Sequence, residues 1–202
     1  KEFVVWQLVV FCVGTVGLVA VSWRCLHDPR SHGFPRFFAW EAILAVLLLN
    51  VESWFDHPLS VTQLISWVLL VASLVCAGLG FRLLRTIGHE GQPGPGQDQQ
   101  AGPGHREPVE PGGADYAFEN TSRLVDVGLY RYLRHPLYAS LLYLVWGACL
   151  KDPSLVAVGL SVLASVLLWL TALAEERENV VRFGEAYTAY VARTWRFVPF
   201  LV

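Results

Sequence analysis

The chain has 202 residues, of which 54% are apolar and 16% charged, with a formal net charge of −2. Soluble domains carry roughly a quarter charged residues, so this composition argues for one small membrane bundle, and the slight negative charge supplies no basic field for nucleic acid. Cys12, Cys25, Cys76 and Cys149 form no CxxC pair and mostly fall in or beside apolar runs; that spacing fits neither a disulfide framework nor a zinc site, and they read as small apolar fillers.

A helix needs about 20 apolar residues to cross the hydrocarbon core. Residues 3–23 meet this without a charge, and no basic leader or small-residue cleavage site makes them a signal peptide. A second span is expected over 37–55, interrupted by Glu41, Asn50 and Glu52. Polar groups inside a membrane are costly and suggest function, although Glu41 and Glu52 also suit the two interfaces. A third span covers 59–81. Its inner end, AGLGFRLLR, carries Gly78 and Gly80. Small residues there admit either a neighbouring helix or a ligand at close range.

Residues 88–122 are rich in Gly, Pro and Gln. They contain too little apolar surface to offset the entropy of ordering, so a flexible loop is expected. His89 and His105 within it read as solvated side chains rather than metal ligands. A short fourth span over 137–150 and a fifth over 155–174 follow, joined at Lys151-Asp152-Pro153 as a tight hairpin. The expected fold is an all-α integral membrane protein. It has about five transmembrane helices, with a C-terminal helical hairpin and a cytoplasmic amphipathic helix. Three regions result: a three-helix region over 1–87, the loop over 88–122, and a cofactor-binding hairpin with its C-terminal segment over 123–202.

With the N-terminus outside, the inner stretches collect Arg24, Arg30 and Arg36, then Arg82, Arg85, Arg106, Arg123, Arg131 and Arg134, then Arg177, Arg182, Arg193 and Arg196. Only Lys1 and Lys151 fall elsewhere. The positive-inside bias therefore places the loop and the C-terminus in the cytoplasm.

Two inner segments carry candidate chemistry. In GLYRYLRHPLY, residues 128–138, Pro136 keeps His135 out of helical geometry and is suited to open the next helix. Arg134 and His135 then precede a helix N-terminus, whose free N–H groups favour an anion. Arg134 adds a bidentate donor for a carboxylate or phosphate. Arg131 and Tyr132 fit an interfacial belt. In EERENVVRFGEAYTAYVARTWRFVP, residues 175–199, Glu176, Val180, Phe183 and Tyr187 recur at helical spacing, and Gly184 can cap or interrupt the helix. An amphipathic helix on the inner leaflet accounts for the aromatic residues but poorly for Glu175-Glu176. No Walker loop, Rossmann fingerprint, GxSxG or HExxH is present.

Together these segments resemble the isoprenylcysteine carboxyl methyltransferase family and the related phospholipid N-methyltransferases. The resemblance rests on Gly128, Tyr130, Arg134, His135, Pro136 and Tyr138, then Glu175, Glu176, Phe183, Gly184, Tyr187, Tyr190 and Pro199. Gly78-Leu79-Gly80 resembles the GxG of the phospholipid enzymes. The resemblance implies S-adenosylmethionine as methyl donor, held in a cytoplasm-facing pocket. Arg134 and His135 suit its carboxylate, and Tyr130 and Tyr138 its adenine or sulfonium. Glu175 and Glu176 suit its ribose, ammonium or sulfonium, and Gly78 and Gly80 would allow close approach. Arg134 and Glu176 are the expected catalytic pair. Methyl transfer is an in-line displacement that depends on alignment in a dry site. An amine acceptor must also lose a proton, which a glutamate could take. The expected acceptor is a lipophilic molecule, prenylated or lipidic, reached from the bilayer. The alternatives are an NADPH-dependent reductase of sterol-reductase type, although an acidic pair suits a 2′-phosphate poorly, and a non-enzymatic membrane scaffold.

Overall fold

The computed structural model describes residues 2–27, 32–56, 58–87 and 124–199. The loop expected over 88–122, with His89 and His105, lies outside the described residues. Among the described residues the secondary structure is helical, apart from one isolated bridge. The helices are α1 (Glu2–Leu26), α2 (Gly33–Leu49), α3 (Val61–Ile87), α4 (Pro136–Cys149), α5 (Leu155–Phe183) and α6 (Glu185–Val191). Short 3₁₀ turns occupy Val51–Phe55 and Gly128–Arg131. Among the described residues three helices are long and apolar enough to cross a membrane, over Val5–Trp23, Val61–Thr86 and Leu155–Phe183.

α3 packs on α4, α2 on α5, and α1 on the side of α2. Beside larger core groups such as Val46, Val145 and Leu168, many helix contacts are made by small residues. Ala39, Ala42, Ala139, Ala148, Ala157, Ala164 and Ala172 are buried at the helix contacts, where short side chains let backbones approach. Larger apolar groups such as Val13, Val68, Leu74 and Val166 face outward. That reversal suits a hydrocarbon solvent, in which apolar side chains gain nothing from hiding. Polar groups inside are tied to backbone carbonyls. Ser66 Oγ donates to Gly147 O at 2.6 Å between α3 and α4; such interhelical bonds contribute about 0.6 kcal/mol each in a membrane.

Element boundaries depart from the sequence reading where polar side chains intervene. The second helix starts at Gly33 and stops at Leu49 instead of running to 55. Asn50 ends it, donating its side-chain amide to Ala148 O at 2.8 Å and Cys149 O at 3.3 Å. The amide thus satisfies the open carbonyl end of α4. Glu41 accepts from Thr15 Oγ1 at 2.9 Å across α1 and α2, with its Oε1 unpaired. Lys151, in the connection after α4, donates to Gln63 Oε1 at 2.9 Å and lies 3.6 Å from the Trp67 ring centroid. The same connection ends at Ser154, whose side chain accepts from Ala157 N and caps α5.

α5 continues well past 174, through the acidic pair to Phe183. Gly184, at φ 58°, then breaks the chain direction. Positive φ is costly for residues with a Cβ. The amphipathic segment expected within 175–199 is divided between the end of α5 and the 7-residue α6, whose Tyr187 and Tyr190 are buried.

Candidate functional site

The strand-like stretch before α4 is held by the C-terminal segment. Arg134 N donates to Trp195 O at 2.7 Å, His135 N to Arg196 O at 3.1 Å, and Trp195 N to Tyr132 O at 2.9 Å. Upstream, Gly128 has φ 59°, and an added Cβ would meet Leu83 Cδ1 at 2.7 Å. The conformation therefore favours glycine, and a Cβ would in addition displace the Leu83 side chain. Downstream, Pro136 opens α4 at its first position, where the missing N–H costs no helical bond.

Glu176 on α5 is the centre of charge. Its Oε1 accepts from Arg134 Nε at 3.0 Å and Arg196 Nε at 2.9 Å, and its Oε2 from Arg196 Nη2 at 2.8 Å. His135 Nε2 lies 3.3 Å from the same Oε1. The Arg134 Nη1 group donates to Val191 O and Thr194 O. The Arg196 guanidinium lies 4.5 Å from the Trp169 ring centroid, and its basicity is raised first by the hydrogen bonds to Glu176. Tyr143 Oη donates to Phe197 O at 3.2 Å, and Tyr190 Oη to Tyr130 O at 2.6 Å. Loop, helix and C-terminal segment thus share one network.

Beside this network is an open cleft. Tyr130, Arg134, His135, Tyr138 and Glu175 all line it. Asn179, Phe183, Tyr187 and Tyr190 complete the polar and aromatic side, and Leu84, Leu124, Val125 and Leu137 an apolar side. His135 stacks on Tyr138 with centroids 5.4 Å apart, and its Nδ1 is 3.8 Å from Glu175 Oε2. Burial pushes the Tyr187 and Tyr190 phenols up, with Glu176 and Glu175 adding to the effect on Tyr187. Both remain neutral phenols, and Tyr190 donates to Tyr130 O.

The structure divides the acidic pair. Glu175 lines the cleft and has 32% of its side chain exposed, against 13% for Glu176, which lies behind the lining in the arginine network. The helical face expected from Glu176, Val180, Phe183 and Tyr187 is displaced accordingly. Glu175, Asn179 and Phe183 form the face on the cleft, Val180 is exposed, and Tyr187 belongs to α6. Neither glycine of the GxG lines the cleft. Gly78 is exposed with no neighbour where a Cβ would stand, whereas a Cβ on Gly80 would meet Leu137 at 3.2 Å and Pro136 at 3.4 Å. Gly80 thus serves the packing of α3 on the start of α4. Arg131 and Tyr132 are exposed, in keeping with a belt. Arg196 and Asn179 were not singled out in the sequence. The only signal for Arg196 is a cation in an aromatic C-terminal run, and for Asn179 its place one turn after Glu175.

A family model described as phospholipid methyltransferase matches residues 113–185, which include the Arg134-His135-Pro136 loop and both glutamates. It models membrane methyltransferases, in line with the resemblance drawn from the motif. No curated protein and no solved structure matches the chain.

Proposed function

We propose that the protein transfers a methyl group from S-adenosylmethionine to a lipophilic acceptor, prenylcysteine-like or a lipid amine, at the cytoplasmic face of a membrane. The observation that carries this reading is a single cleft joining Arg134 and His135 to Glu175 within the matched region. Its donor set fits the cofactor. A guanidinium and an imidazole suit a carboxylate, Glu175 suits a cation, and the tyrosines with Phe183 suit a nucleoside. When bound, the cofactor supplies an electrophilic methyl group.

The residues of the chain do the rest by position. Arg134 is fixed on three sides by Glu176, Val191 and Thr194, so its remaining donors are aimed without further ordering. The N-terminus of α4 adds partial positive charge beside His135. Leu84, Leu124 and Leu137 exclude water and offer an apolar approach from the bilayer. Glu175 is the cleft carboxylate able to accept a proton from an amine; a carboxylate acceptor requires none. Glu176 acts through Arg134, Arg196 and His135.

A five-span topology would give the same placement. α2 and α4, at 17 and 14 residues, are short for a span and would be completed by their flanking turns. Arg82, Arg85, Arg131, Arg134, Arg182, Arg193 and Arg196 belong to the cleft end of the chain, the cytoplasmic end under the positive-inside rule. The direct test is incubation of purified protein with isotopically labelled S-adenosylmethionine and a panel of phospholipids and prenylcysteines, read by mass spectrometry. Label in one acceptor class is expected; label in none, with the protein folded, contradicts the proposal.

A further inference from the structure

The α5 wall of the cleft carries a ladder of three unlike groups. Glu175, Asn179 and Phe183 are each four residues apart and all line the cleft, so they form one stripe along the helix. At about 1.5 Å per residue the stripe extends roughly 12 Å. Its chemistry passes from carboxylate to amide to aromatic ring. The carboxylate end faces His135 Nδ1 at 3.8 Å. At the other end the Arg182 guanidinium lies 5.5 Å from the Phe183 ring centroid. Between them, Asn179 shares the cleft lining with Tyr187, a buried phenol.

We propose that this stripe sets the direction in which the cofactor lies, with its adenine on Phe183, the polar edge of the base on Asn179, and its amino-acid end between Glu175, His135 and Arg134. This deepens the methyltransferase reading and rests on it. An adenine presents a π-face and a donor–acceptor edge, and a ring one turn from an amide matches both. An ammonium needs an anionic acceptor, which the stripe offers only at Glu175. The reverse orientation would set the amino-acid end against a phenyl ring and leave its ammonium without an anionic acceptor on the stripe.

The test uses the full chain in detergent and two ligands, S-adenosylhomocysteine and methylthioadenosine, which lacks the amino-acid end. Asn179→Ala and Phe183→Ala are expected to weaken both ligands by similar factors, about tenfold for the ring, on the scale of base–aromatic stacking. Glu175→Gln is expected to weaken S-adenosylhomocysteine and leave methylthioadenosine unchanged. Phe183→Trp, which retains a stacking face, is expected to preserve both and controls for folding. The inference is overturned if the Asn179 and Phe183 variants bind S-adenosylhomocysteine as the wild type does, if Glu175→Gln weakens the two ligands equally, or if methylthioadenosine fails to bind at millimolar concentration while S-adenosylhomocysteine binds. Failure of the wild type to bind either ligand instead removes the methyltransferase reading itself.

Discussion

Glu176 and Glu175 are adjacent in the sequence and opposite in consequence. Glu176 accepts hydrogen bonds from Arg134 and Arg196 while mostly buried. Removing one partner of such a cluster strands the others, a loss of about 3 kcal/mol for a buried pair. Glu176→Gln, which keeps the shape and removes the charge, is therefore expected to lower the thermal midpoint in detergent and to weaken S-adenosylhomocysteine binding through the displaced loop. Glu175→Gln removes a half-buried carboxylate outside the arginine network, so its midpoint is expected to stay within about 0.5 kcal/mol of wild type, while ligand binding falls. Equal midpoints for the two variants would contradict this division. The sequence shows two acids closing an apolar helix but not which one faces the cleft. Their assignment depends on the rotation of α5, fixed by packing of Ala157, Ala164, Leu168 and Ala172. Arg196 was hidden for a similar reason. Its role exists only because the C-terminal segment folds back onto the loop.

At the scale of elements, the loop before α4 is a composite whose parts are far apart in the chain. Its backbone is paired by residues 195 and 196, its entrance turns on Gly128, and its exit on Pro136. Gly128→Ala is expected to destabilise the protein by about 2 kcal/mol, since φ 59° is strained for alanine and the Cβ would collide with Leu83. Gly159→Ala supplies the contrast. That glycine is within α5 with open space around it, and alanine there is expected to be neutral or stabilising by roughly 0.5–1 kcal/mol. Thermal unfolding of both variants checks the pair; a harmless Gly128→Ala would show that the turn does not hold the loop. The apolar core of α1 to α5 was legible from hydropathy and Pro136 from its dipeptide. The break at Asn50 was not, because it depends on the carbonyl end of α4. The helical spacing after Glu176 and the cap at Gly184 were legible, but not that this helix continues the apolar span without a break, because a polar run joins a helix only once its other faces are packed.

For the whole molecule, the outward-facing apolar side chains and the small, hydrogen-bonded helix contacts describe a bundle solvated by lipid. The Lys151 cluster and the Arg134 cluster belong to opposite ends of α4. In the proposed topology the Lys151 end faces away from the cytoplasm. Single cysteines placed at Asp152 and at Asp126, in a chain otherwise freed of cysteine, are expected to react with an impermeant thiol reagent from opposite sides of sealed vesicles. Labelling of both from one side would overturn the orientation. The arginine distribution made this expectation available from sequence alone. The closure of the cleft between α3, α5 and the returning C-terminal segment required the fold.

The central claim is that the cleft beside Arg134, His135 and Glu175 holds an S-adenosyl cofactor. It is tested most directly by titrating the purified protein with S-adenosylhomocysteine and, in parallel, with NADPH. The account predicts saturable micromolar binding of S-adenosylhomocysteine, weakened in Glu175→Gln, and no competing binding of NADPH. Saturable binding of NADPH with none of S-adenosylhomocysteine would contradict it.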